Sequence, residues 1–270
     1  MFKLCVLFGD GLELNEISQD EFECLEVPLG IVMDPIQANA VWEERKKKIA
    51  ADSKLPIPVA SHFIHANGFA GCGPTADWDQ IEFWVRRGLE RCGQLGVKIA
   101  GIYGMFFPLE DEKDRARAED ETMRFLSISD RYARENGVTL MLEPMAKLNT
   151  VFPRYLDGLR IMNMFGSKNV RVMADIDYFL ELDQPLSDIK ADPAACLHVH
   201  IAGDGAQPNI GSREKTLIEL FTILREIGYE GAVSCACPWQ PTKEGPMDKL
   251  YETKKTAEYL QNLRAQVYAR

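Results

Sequence analysis

Three residues with metal-binding side chains stand at the carboxyl ends of separate short apolar runs. Glu143 ends the run 138–143, Asp175 ends the run 170–175, and His200 ends 195–200. Short, bounded apolar runs of this length are typical of buried strands. Two carboxylates and one imidazole form an ordinary ligand set for Mn²⁺, Mg²⁺, Co²⁺ or Zn²⁺. The chemistry that this sequence offers is therefore that of a divalent-metal site.

The three runs belong to a longer alternation of apolar runs with helix-sized segments. The predicted strands are 4–8, 22–27, 57–64, 97–103, 138–143, 170–175, 195–201 and 231–236. Between them, apolar residues recur at helical spacing, as in the segment from Asp77, which can cap a helix, to Gly96, which can end it. This order predicts an α/β fold, a parallel (β/α)8 TIM barrel, as a single domain over 1–270. No G-x-G-x-x-G follows a strand, which disfavours a doubly wound sheet.

The charge and composition of the chain limit which partners it can bind and in which cellular compartment we expect it. The formal net charge of the 270 residues is −10, which argues against nucleic acid as a ligand. No run has the length of a signal peptide or a membrane helix, so we expect no membrane partner and a cytoplasmic location. Seven Cys without a framework fit a reducing compartment. The pair Cys235-x-Cys237 is more typical of packing than of a redox or metal site.

Strand ends of a parallel barrel converge on one mouth, where Glu143, Asp175 and His200 could face a common point. Each residue also has an ordinary explanation. Glu143 before Pro144 could be a loop carboxylate, Asp175 could cap a helix, and only one residue of the pair His198 and His200 need face the mouth. Their joint placement at three successive strand ends favours the metal site.

Five short motifs carry a resemblance to a known family. They are Leu142-Glu143-Pro144, Asn149-Thr150, Val172-Met173-Ala174-Asp175, Leu197-His198-Val199-His200-Ile201 and Gly228-Tyr229-Glu230-Gly231-Ala232-Val233-Ser234. In this order and at strand ends, they resemble the xylose isomerase-like TIM-barrel superfamily, nearest to the branch of tagatose/psicose 3-epimerases and hydroxypyruvate isomerases. The likeness covers nearly the whole chain. It implies an isomerase, a divalent-metal-dependent sugar isomerase or epimerase acting on a small ketose or related hydroxy-carbonyl compound, with Mn²⁺ the favoured metal.

The resemblance also implies residue roles. Glu143, Asp175 and His200 match the metal ligands of the family, and Glu143 also matches one of two glutamates that carry protons as an acid/base pair. The second glutamate, which is also the fourth ligand, falls at Ala236, whose methyl group can do neither. The family pattern is broken at three further positions, namely Asn149, Tyr178 and Ala206.

The sequence alone leaves several consequences of Ala236 open. A three-ligand site can keep a metal with water in the fourth position. Cys237 could replace the carboxylate, although strand alternation puts Cys235 and Cys237 on the face opposite Ala236. Alternatively the chemistry is impaired or lost, leaving a non-catalytic sugar-binding or partner subunit, or it is changed to that of a lyase or dehydratase in which His62 acts. A deliberate substitution would give the same sequence.

Other residues near the strand ends are candidate substrate contacts: Glu26, His62, Tyr103, His198 and Trp239. Aromatic rings among them could pack on the apolar face of a sugar. Each is as well explained by packing at the rim. We expect a small-molecule substrate, and the sequence is compatible with a homo-oligomer.

Overall fold

Eight parallel strands pair in chain order, and β8 pairs back onto β1 to close a barrel. The computed structural model describes residues 1–7, 14–61, 73, 75–104, 107–109, 111–146, 149–209 and 211–269. The strands are β1 Lys3–Leu7, β2 Cys24–Pro28, β3 Val59–Ser61, β4 Ile99–Tyr103, β5 Thr139–Glu143, β6 Val170–Asp175, β7 Cys196–Ile201 and β8 Ala232–Cys235. The (β/α)8 TIM-barrel prediction is confirmed.

Among the described residues, helices follow every strand except β1 and cover the outside of the barrel. They are α1 Leu29–Val32, α2 Asn39–Asp52, α3 Trp78–Leu95, α4 Arg115–Glu135, α5 Tyr155–Phe165, α6 Ile176–Glu181, α7 Glu214–Glu226 and α8 Lys249–Tyr268, with 3-10 turns at Glu112–Asp114 and Leu186–Ala191. The caps predicted for α3 are present: the Asp77 side chain accepts from the Gln80 N–H, and Gly96 has a φ of 86°. A positive φ costs Gly little, so the chain can turn there into β4.

Several elements differ from the sequence prediction, including α1, which the sequence left unassigned. β3 is shorter than the predicted run 57–64, of which residues 62–64 lie outside the described part of the chain. Helix α6 begins directly after Asp175, in a segment that the sequence left unassigned because its six residues are too few to show helical spacing.

The barrel interior is layered. A small apolar cluster, separate from the main core between sheet and helices, contains Cys5, Cys24, Val59, Met141, Met173 and Ala232. Because side chains of a strand alternate, the residue two positions further on shares the inward face one layer higher. Those residues are Leu7, Glu26, Ser61, Glu143, Asp175 and Ser234, and all of them except Leu7 are polar. An apolar floor therefore carries a polar layer at the carboxyl ends of the strands.

Among the described helices, none combines the length and apolar character needed to cross a membrane.

Candidate functional site

Glu143, Asp175 and His200 come together at the mouth of the barrel. They end or nearly end the neighbouring strands β5, β6 and β7, and the register sets Asp175 beside His200. His200 Nδ1 lies 3.6 Å from Asp175 Oδ2 and 3.7 Å from Glu143 Oε1. One ligand atom from each residue lies within 4.8 Å of the others. This cluster is a candidate metal centre.

Asp175 has two tasks, one for each carboxylate oxygen. Its Oδ1 accepts the N–H of Asp177 at 2.8 Å and so caps α6. The cap holds the carboxylate at the strand end with Oδ2 turned toward His200. The helix-cap and metal-ligand explanations of this residue are therefore compatible.

Glu143 is a buried carboxylate with one unsatisfied oxygen. Its Oε2 has no hydrogen-bond partner, and the side chain is 3% exposed. Burial, together with the negative charges of Asp175 and Glu26, raises the pKa of Glu143 to about 8, although His200 acts in the opposite direction. A carboxyl group with a pKa near neutral is suited to exchange protons at physiological pH. A divalent cation would supply the partner that Oε2 lacks.

Beneath the cluster, Glu26 holds both histidines of the seventh strand. It accepts from His198 Nε2 at 2.8 Å and from His200 Nε2 at 2.9 Å, and it is completely buried. Burial alone would raise the pKa of Glu26, but the two imidazoles outweigh it and hold the pKa well below its usual range. An ionised Glu26 fixes the proton of His200 on Nε2. Nδ1 then faces Glu143 and Asp175.

The charge of Glu26 also acts on His200. Burial lowers the pKa of His200, but Glu26 and the carboxylates above it outweigh burial, so the pKa is raised well above its usual value. Glu26, His198 and His200 themselves form a second group of ligand atoms within 4.8 Å. Because hydrogen bonds already occupy both oxygens of Glu26 and the Nε2 atoms of both histidines, the upper cluster is the better candidate for a metal.

A cavity of about 310 Å³ opens above the cluster. Its lining consists of Leu7, Tyr103, Glu143, Met145, Asp175, Asp177, Tyr178, His200, Ala236 and Cys237. This described lining contains no Lys or Arg. The volume is at the lower end of the range for small-molecule sites.

Only one of the predicted substrate-contact residues in the described part of the chain lines the cavity. Tyr103, at the end of β4, lines the cavity. Glu26 and His198 are fully buried and are not part of the lining, so the structure does not bring them to the cavity wall. Trp239 packs against the main core and is also outside the lining. His62 lies outside the described residues.

Ala236 and Cys237 both reach the cavity. Alternation along β8 predicts Cys237 on the opposite face from Ala236, but the strand ends at Cys235 and the chain bends at Cys237. Beyond the strand end, alternation no longer decides where a side chain points. Among the described residues, the group of ligand atoms around Glu143 does not include the Cys237 sulfur.

Sequence reasoning did not single out Asp177 and Met145, and it noted Tyr178 only as a departure from the family. All three follow within three residues of a candidate ligand, which is the signal that could have found them. Asp177 is ion-paired with Arg213, which also approaches Asp204 at 3.3 Å.

Comparison with known families agrees with this geometry. The xylose isomerase-like TIM barrel family matches residues 14–263, so the chain belongs to that family. A 2-oxo-tetronate isomerase of Cupriavidus necator is 28% identical over 160 residues, which are 56% of this chain and 59% of that protein. The chain thus aligns with little more than half the length of this relative.

Solved structures share the fold over almost the full length. A 3-keto-D-glucoside 4-epimerase from E. coli superposes with a TM-score of 0.75 at 18% identity, covering 97% of this chain and all of the other. A D-psicose 3-epimerase from Clostridium cellulolyticum H10, solved with D-tagatose, has a TM-score of 0.70 at 17% identity, covering 98% of this chain and 99% of the other. Both of these solved structures are of sugar epimerases.

Proposed function

We propose that the protein is a divalent-metal-dependent isomerase of small ketoses or related hydroxy-carbonyl compounds. Glu143, Asp175 and His200 would hold the ion, with Mn²⁺ first among Mn²⁺, Mg²⁺, Co²⁺ and Zn²⁺. The observation that carries the proposal is the unpartnered, buried Oε2 of Glu143 beside Asp175 and His200 at an open cavity. We further propose that 1–270 act as one domain and that the protein is cytoplasmic.

The bound ion would polarise a carbonyl and an adjacent hydroxyl of the substrate. Glu143 would remove the proton from the carbon beside the carbonyl and return it. Of the other carboxylates in the described lining, Asp175 caps α6 and Asp177 is paired with Arg213. Glu143 is therefore the proton carrier that the geometry favours.

A single carrier limits the reaction type. Inversion at a carbon needs a proton removed from one face and delivered to the other. With Ala236 across the barrel in place of a second carboxylate, one base can only move a proton between neighbouring carbons on the same face. This favours isomerisation, a shift of the carbonyl, over epimerisation. The 2-oxo-tetronate isomerase relative supports the same reaction class.

The cavity also suggests the size and charge of the substrate. Its volume of about 310 Å³ suits a compound of few carbons. Without Lys or Arg in the described lining, a phosphate group would find no cation other than the metal ion. We propose an unphosphorylated substrate, and a four-carbon oxo-acid, whose carboxylate can bind a metal ion, belongs in the test panel.

The test is incubation with Mn²⁺ and a panel of tetroses, pentoses, hexoses and four-carbon oxo-acids in D₂O, followed by NMR. The proposal predicts carbonyl-shifted products without epimers. Glu143→Gln should lower the rate by about 10²–10⁴-fold, the usual contribution of a positioned acid/base. Asp177→Asn, a neutralised carboxylate on the same cavity wall, is the matched control and should keep most of the rate. Full activity of Glu143→Gln would exclude this mechanism.

Ala236 itself favours one alternative, a non-catalytic sugar-binding or partner subunit. A methyl group in the cavity lining can neither bind metal nor carry a proton. In that case the protein would bind sugar without turnover, with or without Mn²⁺. A lyase or dehydratase, the other alternative, would instead release water or cleave a carbon–carbon bond in the same NMR assay.

A further inference from the structure

Two thiols touch at the edge of the cavity. Cys235 ends β8 and is fully buried, whereas Cys237 is partly exposed and lines the cavity. Their sulfur atoms are 3.4 Å apart. The four other described cysteines, Cys5, Cys24, Cys92 and Cys196, are buried. Among the described thiols, Cys237 is thus the one that a small oxidant can reach, and its neighbour is already in contact.

We propose that Cys235 and Cys237 form a reversible intramolecular disulfide on the cavity wall when a peroxide reaches the site. A disulfide has a sulfur–sulfur distance of roughly 2.0 Å, so the two atoms need to approach by only about 1.4 Å. Cys237 lies beyond the last residue of β8 and beyond Ala236, whose N–H still donates to the Ile201 carbonyl of β7 at 3.1 Å. This is a modification site that the isomerase proposal neither requires nor explains.

The order of events follows from accessibility. Burial, with Cys237 close by, raises the pKa of Cys235 well above its usual value, which makes Cys235 a poor first nucleophile. The Cys237 thiolate attacks one peroxide oxygen, the O–O bond breaks, and the departing hydroxide is protonated to water. Cys237 is then a sulfenic acid.

Cys235 completes the oxidation. It loses its proton and attacks the sulfur of the Cys237 sulfenic acid, the S–O bond breaks, and a second hydroxide leaves as water. Two thiols give up two electrons, and one peroxide becomes two waters. The product draws the Cys237 sulfur toward Cys235 and away from the cavity, so the wall beside Ala236 changes shape. Because a C-x-C ring is small, a dithiol should reduce the bond easily.

The test is mass spectrometry of the folded protein after a peroxide titration, with free thiols alkylated before digestion. Trypsin releases residues 226–243 as one peptide, which contains both cysteines and no other. The peptide should lose two hydrogens, and dithiothreitol should restore both alkylation sites. The peptide 92–98, which carries buried Cys92, is the internal control and should stay fully alkylated when the unfolded protein is labelled.

Two variants separate the roles of the sulfurs. Cys235→Ser should leave Cys237 as a sulfenic acid that dimedone traps, whereas Cys237→Ser should leave Cys235 unoxidised. The inference is overturned if both thiols of the 226–243 peptide survive peroxide that oxidises free glutathione, or if they gain oxygen instead of pairing. None of these readouts uses enzyme activity, so a failure of the proposed function would leave the result unchanged.

Discussion

Replacing Glu26 by Gln tests whether the buried carboxylate orients His200. The substitution keeps the size of the side chain and removes its charge. An amide can accept one imidazole N–H through its oxygen, but its NH₂ end then faces the other histidine. Of the two bonds at 2.8 and 2.9 Å, one is lost and the other is weakened.

The magnitude follows from the burial of the three groups, all between 0% and 3% exposed. A hydrogen bond to a charged group contributes about 1.5–3 kcal/mol, so the loss should be about 3 kcal/mol. At about 2–4 °C per kcal/mol for a chain of this size, the Tm should fall by about 6–12 °C. Misorienting His200 should also weaken Mn²⁺ binding by about 10–100-fold, as is typical when the partner of a metal-binding histidine is removed.

Calorimetric melting and Mn²⁺ titration of the purified variant measure both effects. The matched control is Glu112→Gln, which removes the charge of a carboxylate that is 72% exposed and paired with Arg115. An exposed ion pair is screened by water and contributes little to stability, so this variant should melt close to the wild type. If Glu26→Gln melts and binds Mn²⁺ like Glu112→Gln, the orienting role is refuted.

Two further predictions concern the missing carboxylate and the outer helices. Ala236→Glu should tighten Mn²⁺ binding at least about 10-fold and add a second proton carrier across the barrel from Glu143, so that epimers appear in the NMR assay; identical affinity and products would contradict this. Burial raises the pKa of the Asp130 carboxyl group, but hydrogen bonds from Arg134 and Ser167 outweigh burial and hold this pKa below its usual value. The pKa of Asp130 is lower in the folded protein than in the unfolded protein. The free energy of unfolding of the wild type should therefore exceed that of Asp130→Asn by about 1 kcal/mol near pH 7. This difference should disappear as the pH falls through the lowered pKa. Urea unfolding at several pH values measures it, and a pH-independent difference would exclude the ion pair as its cause.

The sequence predicts the barrel and the upper cluster for a simple reason. Apolar runs that alternate with helix-sized segments can bury both faces only in a parallel sheet, and the carboxyl ends of such strands meet at one mouth. Glu143, Asp175 and His200 end three successive runs, so their meeting follows from topology alone. The start and end of α3, with Asp77 and Gly96, were predictable for a local reason, the chemistry of its caps.

The features that the sequence does not predict depend on the pairing between strands and on the place where β8 ends. Glu26 and His198 lie near strand ends, but Glu26, paired with Val59, and His198, paired with Ala232, are fully buried and outside the cavity lining. No pattern in a single strand predicts this burial. Cys237 reaches the cavity because the chain bends after β8, where alternation has ended.

Calorimetric titration with Mn²⁺ of the wild type, Asp175→Asn and Asp177→Asn decides whether the cluster is a metal site. Asn at 175 can still cap α6 through its side-chain oxygen, so the fold should be preserved while one charged ligand is lost. We expect one Mn²⁺ per chain in the wild type and in Asp177→Asn, and an affinity lower by at least about 10-fold in Asp175→Asn. Equal binding by all three proteins, or binding by none of them, would contradict the assignment of Glu143, Asp175 and His200 as metal ligands.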